Sequence, residues 1–134
     1  MLNKDDTLLN ELLSDDNLKI AKQRIKKNKG ASGIDGMEVK ELDEYLSKHL
    51  DEIKEQIRNK KYSPKPVKRV EIPKPDGGVR NLGVPTVVDR FVQQAIAQVL
   101  TPLYEPKFSE SSYGFRPNRC CEMAILKALE FMND

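Results

Sequence analysis

Basic residues flank the segment of the sequence that most resembles a turn, in an arrangement that can bind phosphate. Lys74 lies beside the Asp-Gly pair that predicts a tight turn, and Arg80 begins the returning segment. Lysine supplies a mobile point charge and arginine a planar fork for two oxygens, so the pair can close over a polyphosphate. Lys65, Lys68 and Arg69 on the incoming side can follow a nucleic-acid backbone. The alternative is an exposed hairpin whose charges serve solubility and protect its edges.

The net charge of +2 conceals two basic blocks. Residues 17–30 carry six bases and no acid, and residues 58–80 carry eight bases against two acids. Between them, residues 31–57 carry three lysines against eight acids. Clustered cations favour a phosphate-bearing partner such as nucleic acid, and two solvated surfaces are the alternative.

Other chemistries find little support in the 134 residues. The chain has one histidine and two adjacent cysteines, too few ligands for a zinc site of its own, and adjacent cysteines seldom form a disulfide. There is no Gly-x4-Gly-Lys-Ser/Thr phosphate loop. Without a long apolar run or a secretory signal, we expect a cytoplasmic protein with reduced thiols and no membrane partner. The uncapped helical pattern at the C-terminal end predicts a piece of a longer protein.

Periodicity and turn residues predict a mostly helical chain with one β-hairpin. Apolar residues at steps of three and four indicate amphipathic helices, and β-branched residues around the Asp-Gly turn indicate strands. Thr86 with Asp89 resembles a capping box that begins the core helix. The predicted elements are a helical region over residues 1–29 with an N-cap among Asp15, Asp16 and Asn17, a glycine loop over residues 30–36, a helix over 38–60, a hairpin over 67–84, a core helix over 88–103, and a last helix from about Asn118 with Ala124, Ile125, Ala128, Leu129 and Met132 buried.

Three ordered motifs, with the spacing between them, resemble group II intron reverse transcriptases (maturases) over about residues 10–134. Residues 27–36, Lys-Asn-Lys-Gly-Ala-Ser-Gly-Ile-Asp-Gly, resemble the first motif. Residues 70–90, Val-Glu-Ile-Pro-Lys-Pro-Asp-Gly-Gly-Val-Arg-Asn-Leu-Gly-Val-Pro-Thr-Val-Val-Asp-Arg, resemble the second. Residues 112–119, Ser-Tyr-Gly-Phe-Arg-Pro-Asn-Arg, resemble the segment that follows.

The resemblance implies an α+β fold, mostly helical, that forms the fingers subdomain of a right-hand polymerase, with an antiparallel hairpin packed on helices. Residues 1–36 would be an N-terminal helical extension with a template-lid loop, residues 37–110 the fingers, and residues 111–134 the start of a helix next to the palm. Because the palm motifs are absent, we expect apolar surface on residues 88–103 or 120–132 and self-association or a homodimer through it.

The resemblance also implies site residues. Lys74 and Arg80 match the residues that bind the incoming deoxynucleoside triphosphate (dNTP). An RNA template with its primer would be held by residues in three segments. These are Lys26, Lys27, Asn28, Lys29, Gly30 and Ala31 at the loop, Lys68 and Arg69 on the hairpin, and Arg116 in the Gly-Phe-Arg-Pro segment.

The family's catalytic aspartates are missing from the sequence, which contains no Tyr-x-Asp-Asp. Two-metal phosphoryl transfer needs such carboxylates to hold Mg²⁺. We therefore expect a parent RNA-directed DNA polymerase that uses Mg²⁺ and acts in intron splicing and mobility within a ribonucleoprotein. The chain itself is expected to have no metal site, no cofactor and no polymerase activity. Asp76 stands where the family often has glycine, and aspartate suits a turn.

Two alternatives stay open at the level of sequence. One is a stand-alone RNA-binding module without polymerase activity, which a longer reading frame containing the palm motifs would reject. The other is the fingers of another bacterial reverse transcriptase, of the CRISPR-associated or retroelement type. A downstream maturase domain and HNH endonuclease would decide against it.

Overall fold

A computed structural model describes residues 4–133, and their side chains from Asp6 onwards. It contains both helix and strand, as the sequence predicts, in an order that matches the predicted elements. Residues 1–3 of the predicted N-terminal helical region lie outside the described residues. The elements are α1 (Lys4–Leu12), α2 (Asp15–Asn28), α3 (Leu42–Arg58), β1 (Lys68–Pro73), β2 (Val79–Val84), α4 (Val87–Tyr104) and α5 (Cys121–Met132), with 3-10 turns at Val39–Glu41 and Glu105–Lys107.

The chain divides into two compact units, Met1–Val99 and Leu100–Asp134. This division follows packing, whereas the predicted segments 1–36, 37–110 and 111–134 follow the motifs and stay a prediction. In the second unit, the expected buried stripe of α5 is wrong, because α5 buries none of its residues. Its apolar side chains are exposed instead: Ile125, Leu126, Leu129, Phe131 and Met132.

Three helices of the first unit form its core. The buried residues of α2, α3 and α4 recur at helical spacing, so each helix contributes one apolar stripe. Phe91 is the largest fully buried side chain, 1% exposed, and lies near the start of α4. The core consists of Leu18, Ala21, Ile25, Leu42, Leu46, Ile53, Val87, Phe91, Val92 and Ala95.

A serine rather than an aspartate caps the start of α2. Ser14 Oγ accepts a hydrogen bond of 3.3 Å from the Asn17 backbone amide, whereas Asp15 and Asp16 occupy the first turn of the helix. The expected cap among Asp15, Asp16 and Asn17 is therefore wrong by one residue. Asn17 instead donates from Nδ2 to the carbonyls of Leu12 and Ala95, at 2.9 and 3.2 Å, which ties the start of α2 to α4.

The hairpin stands outside the core, which corrects the expectation that it packs on the helices. Strands β1 and β2 pair antiparallel from Lys68 with Val84 to Pro73 with Val79. Ten of their twelve residues are exposed, and only Val70 and Val84 are half-buried. No hairpin residue belongs to the described core cluster. The ladder and the attachments at its base therefore position the hairpin.

We expect Phe91→Ala to lower the free energy of unfolding by about 3–5 kcal/mol, because it leaves a cavity among three helices. Urea unfolding followed by circular dichroism measures this. Ile96→Ala on the same helix is the matched control, since Ile96 is exposed, and it should cost much less. Equal losses in the two variants would contradict the assigned core.

Candidate functional site

The strand register separates the predicted basic residues onto two faces of the hairpin. Cross-strand partners share a face and neighbours along a strand point to opposite faces. Lys68 and Arg69 are neighbours on β1, so they lie on opposite faces although the sequence interpretation grouped them. Arg80 pairs with Ile72 and shares the face of Lys68. We call this the Lys68 face; it consists of Lys68, Val70, Ile72, Arg80, Leu82 and Val84.

The Lys68 face combines apolar surface with unopposed positive charge. The face carries one cation at each end, four apolar residues and no acidic residue. The opposite face carries Arg69 together with Glu71. Within the part of the chain that the structure describes, Lys68, Arg69, Lys74 and Arg80 have no hydrogen bond or ion pair from their side chains. All four are exposed and therefore available to a ligand.

Backbone hydrogen bonds and an aspartate form the turn that carries Lys74. The Lys74 amide donates to the Gly78 carbonyl at 2.7 Å, and the Gly77 amide donates to the Lys74 carbonyl at 3.1 Å. Asp76 Oδ1 accepts from the Gly78 amide at 2.9 Å, the local turn bond that aspartate favours. Gly77 adopts a φ of +90°, which suits glycine. The expectation that the turn tolerates Asp76 is confirmed.

One buried carboxylate joins the two ends of the hairpin. Asp89 is 5% exposed, and its Oδ2 accepts from the Lys65 amide at 2.9 Å, just before β1. Its Oδ1 accepts from the Tyr62 hydroxyl. The Asp89 amide donates to Thr86 Oγ1 at 3.1 Å, which is half of the predicted capping box. The side chain makes long-range bonds instead of the second half, so it links the segment before β1 to the helix after β2.

This arrangement raises the pKa of the Tyr62 phenol well above its ordinary value. Burial of the half-buried ring is the main cause, and the hydrogen bond to Asp89 adds to it. Both effects disfavour the phenolate. Burial removes the water that would solvate its charge, and the carboxylate accepts a hydrogen bond that only the protonated phenol can donate. Sequence reasoning missed Tyr62, since nothing in its spacing indicates a partner 27 residues later.

The glycine loop, residues 30–36, lies against the base of the hairpin. A Cβ added at Gly33 would stand 2.6 Å from the Thr86 Cα, so only glycine permits this backbone contact. Asp35 Oδ2 lies 3.5 Å from Lys65 Nζ, which attaches the loop to the segment before β1. Arg90 Nη2 donates to the Ala31 carbonyl at 2.7 Å. The structure therefore brings predicted loop residues Gly30 and Ala31 to the same end of the hairpin as Lys68.

The predicted cations of α2 divide into paired and unpaired groups. Lys26 forms a short hydrogen-bonded ion pair with Asp43, and Lys22 Nζ lies 3.2 Å from the same carboxylate. Lys26 and then Lys22 lower the pKa of Asp43 through these hydrogen bonds. Lys27 and Lys29 are exposed, and the described residues offer their side chains no acidic partner. Asn28 ends the helix and is exposed as well.

Arg116 lies inside its own loop in the second unit. Its side chain is 6% exposed and donates two hydrogen bonds to the single oxygen Glu105 Oε1, at 3.1 Å from Nε and 2.9 Å from Nη2. Nη1 donates to the carbonyls of Ser109 and Ser112 at 2.7 and 2.8 Å. These bonds give Arg116 a structural function in the loop 105–116. Contact with RNA by Arg116 stays a prediction.

The described residues offer no ligand set for Mg²⁺. Within residues 4–133, no group of three or more His, Cys, Asp or Glu side chains could hold a metal ion. Cys120 and Cys121 are free and exposed thiols. None of the described helices has the length and apolar character needed to cross a membrane.

We expect Tyr62→Phe to lower the free energy of unfolding by about 1–3 kcal/mol at pH 8, because Asp89 Oδ1 loses its donor. The folded chain holds the Tyr62 proton more tightly than the unfolded chain, which releases it at about pH 10. Wild-type stability from this group is therefore complete below about pH 10 and is lost as the pH rises towards the raised folded value. The stability gap between wild type and Tyr62→Phe should narrow from pH 8 to pH 11 in urea unfolding.

Tyr104→Phe is the control for loss of a tyrosine hydroxyl, because Tyr104 is exposed. It should change stability little at pH 8. A gap between wild type and Tyr62→Phe that stays constant up to pH 11 would contradict the proposed pairing of the phenol with Asp89.

Similarity to known proteins covers most of the chain. It is 39% identical over 100 residues to Protein YkfC of Escherichia coli, a match that covers 73% of this chain and 26% of that protein. It is 36% identical over 115 residues to the group II intron-encoded protein LtrA of Lactococcus lactis, with 85% of this chain and 19% of that protein covered. A putative COX1/OXI3 intron 1 protein of Saccharomyces cerevisiae is 33% identical over 123 residues, with 92% and 15% covered.

These matches show the family of the chain, but they cover too little of each relative to show the activity of a whole protein. The chain spans about a quarter or less of the length of these relatives. No protein-family model matches it. The resemblance predicted from the three motifs is confirmed by relatives that carry group II intron names. The chain therefore belongs with the group II intron-encoded proteins, of which it matches one part.

Proposed function

We propose that this chain is the RNA-template-binding and dNTP-binding fingers segment of a group II intron-encoded reverse transcriptase. The observation that carries the proposal is the Lys68 face, where two unpaired cations flank an apolar strip. Intron-related names among the relatives support the same function. The proposed partners are intron RNA as template or primer, and a dNTP.

The proposed RNA surface runs from the glycine loop to the base of the hairpin. Lys68 lies at the end of the hairpin next to the loop, and Lys27 and Lys29 lie where α2 enters the loop. Cations without acidic partners can replace counterions on a phosphate backbone. Apolar side chains between them accept the faces of bases or sugars without a cost in unpaired polar groups. Lys26, Asn28, Gly30, Ala31, Arg69 and Arg116 complete the predicted set.

The proposed dNTP site lies at the other end of the hairpin. Arg80 pairs with Ile72, close to the turn that carries Lys74. A guanidinium and an ammonium at one turn suit a triphosphate, because they bind oxygens and neutralise the charge that develops during phosphoryl transfer. No acidic side chain competes for either cation in the described residues.

Polymerase activity belongs, in this proposal, to the parent protein. The sequence contains no Tyr-x-Asp-Asp, and the described residues provide no cluster for Mg²⁺. The parent would use Mg²⁺, and would support splicing and mobility of its intron within a ribonucleoprotein. The isolated 134-residue chain should incorporate no nucleotide. Its self-association through exposed apolar residues of α5 or α4 stays a prediction.

We expect Lys68→Ala with Arg69→Ala to weaken binding of single-stranded RNA and to flatten its salt dependence. Each lost phosphate contact changes the slope of log K against log salt by about 0.7, so the double variant should lose roughly 1.4. Filter binding or fluorescence anisotropy over a range of KCl concentrations measures the slope. The two single variants then assign the contacts to the Lys68 face or the opposite face.

Lys40→Ala with Lys48→Ala is the matched control, because it removes the same charge from exposed lysines paired with Glu38 and Glu44. Its slope should equal that of the wild type. If the hairpin variant keeps the wild-type slope, the hairpin is not the RNA surface.

We expect Arg80→Ala and Lys74→Ala each to weaken binding of dGTP with Mg²⁺ by roughly tenfold, since each removes a charge-assisted contact. Titration into the isotope-labelled chain with an annealed RNA template and DNA primer, followed by NMR, measures the affinity. Lys40→Ala is again the control. An unchanged affinity in Arg80→Ala would remove Arg80 from the nucleotide site.

A further inference from the structure

Arg90 lies where α4, the hairpin base and the glycine loop meet. It follows Asp89 in the first turn of α4 and is half-buried. Its Nη2 donates to the Ala31 carbonyl at 2.7 Å. Its Nη1 lies 2.8 Å from the position that a Cβ at Gly30 would take, so the guanidinium occupies space that a side chain at residue 30 would need.

The bond from Arg90 attaches the first half of the glycine loop, residues 30–34. Among the described hydrogen bonds, it is the only one that joins residues 30–34 to another element. The same part of the loop also approaches the Thr86 backbone closely at Gly33. Asp35 contacts Lys65 further along the chain. Without Arg90, the peptides of Gly30 and Ala31 would have no described polar contact to hold them.

The remaining nitrogens of Arg90 are placed for a positioning function rather than for direct binding of a ligand. Nε is buried and has no hydrogen-bond partner among the described residues. Nη1 lies where a side chain at residue 30 would stand, and Gly30 has a φ of +108°, a glycine conformation. A buried, unpaired donor is uncommon and indicates that other constraints fix the side chain. Here the constraints are the bond to the Ala31 carbonyl and the fit of the planar guanidinium beside Gly30, which has no side chain in its way.

We propose that Arg90 is a positioning residue, which holds the glycine loop against the hairpin base in the conformation that binds RNA. This inference rests on the proposed function, because it assigns the loop to the RNA surface. We expect lysine not to replace the residue, since an ammonium lacks the planar guanidinium that fits beside Gly30 while it donates to Ala31. Arg90 therefore acts through Lys29, Gly30 and Ala31, and contributes no phosphate contact of its own.

The first arm of the test measures loop order without RNA. In the 134-residue chain, ¹⁵N relaxation should give order parameters near 0.85 for Ala31 and Ser32, and below about 0.6 in Arg90→Ala and Arg90→Lys. Circular dichroism and thermal unfolding establish whether each variant folds. If Arg90→Ala does not fold, Arg90→Lys alone is used for the test. Unchanged order parameters in both variants would overturn the inference.

The second arm measures RNA affinity against salt for the same variants. We expect Arg90→Ala and Arg90→Lys to bind single-stranded RNA roughly tenfold more weakly, with the wild-type salt slope, because no phosphate contact is lost. A slope flattened by about 0.7 in Arg90→Ala, with affinity restored by Arg90→Lys, would overturn the inference in favour of direct phosphate binding. Wild-type affinity in both variants would also overturn it and reduce Arg90 to a merely structural residue.

The two proposals fail in different ways. If the wild-type chain shows no salt-sensitive RNA binding, both the proposed function and the inference about Arg90 are wrong. If the wild type binds and the Arg90 variants bind equally well, the inference alone fails. Lys48→Ala, which removes a lysine paired with Glu44 on α3, controls for loss of one positive charge in both arms.

Discussion

The hairpin has its place in this molecule because one buried carboxylate closes its base. Asp89 receives bonds from Tyr62 and Lys65 before β1, while its own amide is held by Thr86 after β2. A buried carboxylate is costly unless donors satisfy it, and here each oxygen has one: the Tyr62 hydroxyl for Oδ1 and the Lys65 amide for Oδ2. Opening the base would leave a buried oxygen of Asp89 without its donor, and the cost of that state favours the closed base. A two-stranded hairpin alone would be marginal in water.

The closed base explains how exposed residues can be held in a defined geometry. The hairpin contributes nothing to the described apolar core, yet its Lys68 face has a fixed order of cation, apolar strip and cation. The glycine loop reaches the same base because Gly33 carries no side chain. Two basic blocks that are distant in sequence are thus joined by the contact of Gly33 with Thr86, the bond from Arg90 to Ala31 and the ion pair of Asp35 with Lys65. Among the described residues, Lys27, Lys29, Lys68 and Arg80 keep no acidic partner.

The sequence predicted the elements well because each has a strong local pattern. The stripes of α2, α3 and α4 and the Asp-Gly turn follow from periodicity and turn chemistry alone. The motifs, through the family they resemble, indicated the basic residues. What the sequence could not predict depends on long-range contacts. Asp89 suggested a local cap, yet its carboxylate bonds to Tyr62, and Lys26 suggested a ligand contact, yet it pairs with Asp43. The apolar stripe of α5 predicted a buried face, but α5 has no buried residue in the unit 100–134.

The alternation of faces along β1 makes the length of the turn more critical than its composition. One residue added to or removed from the segment 74–78 would shift the pairing by one position, or force a bulge. A shifted strand would send its side chains to the opposite face relative to β2, so Lys68 would no longer share a face with Arg80. Substitutions that keep five residues between the strands preserve which residues share a face, whereas a single insertion either changes this or is absorbed as a bulge. The number of residues in the segment 74–78 is therefore constrained as well as the identity of Gly77.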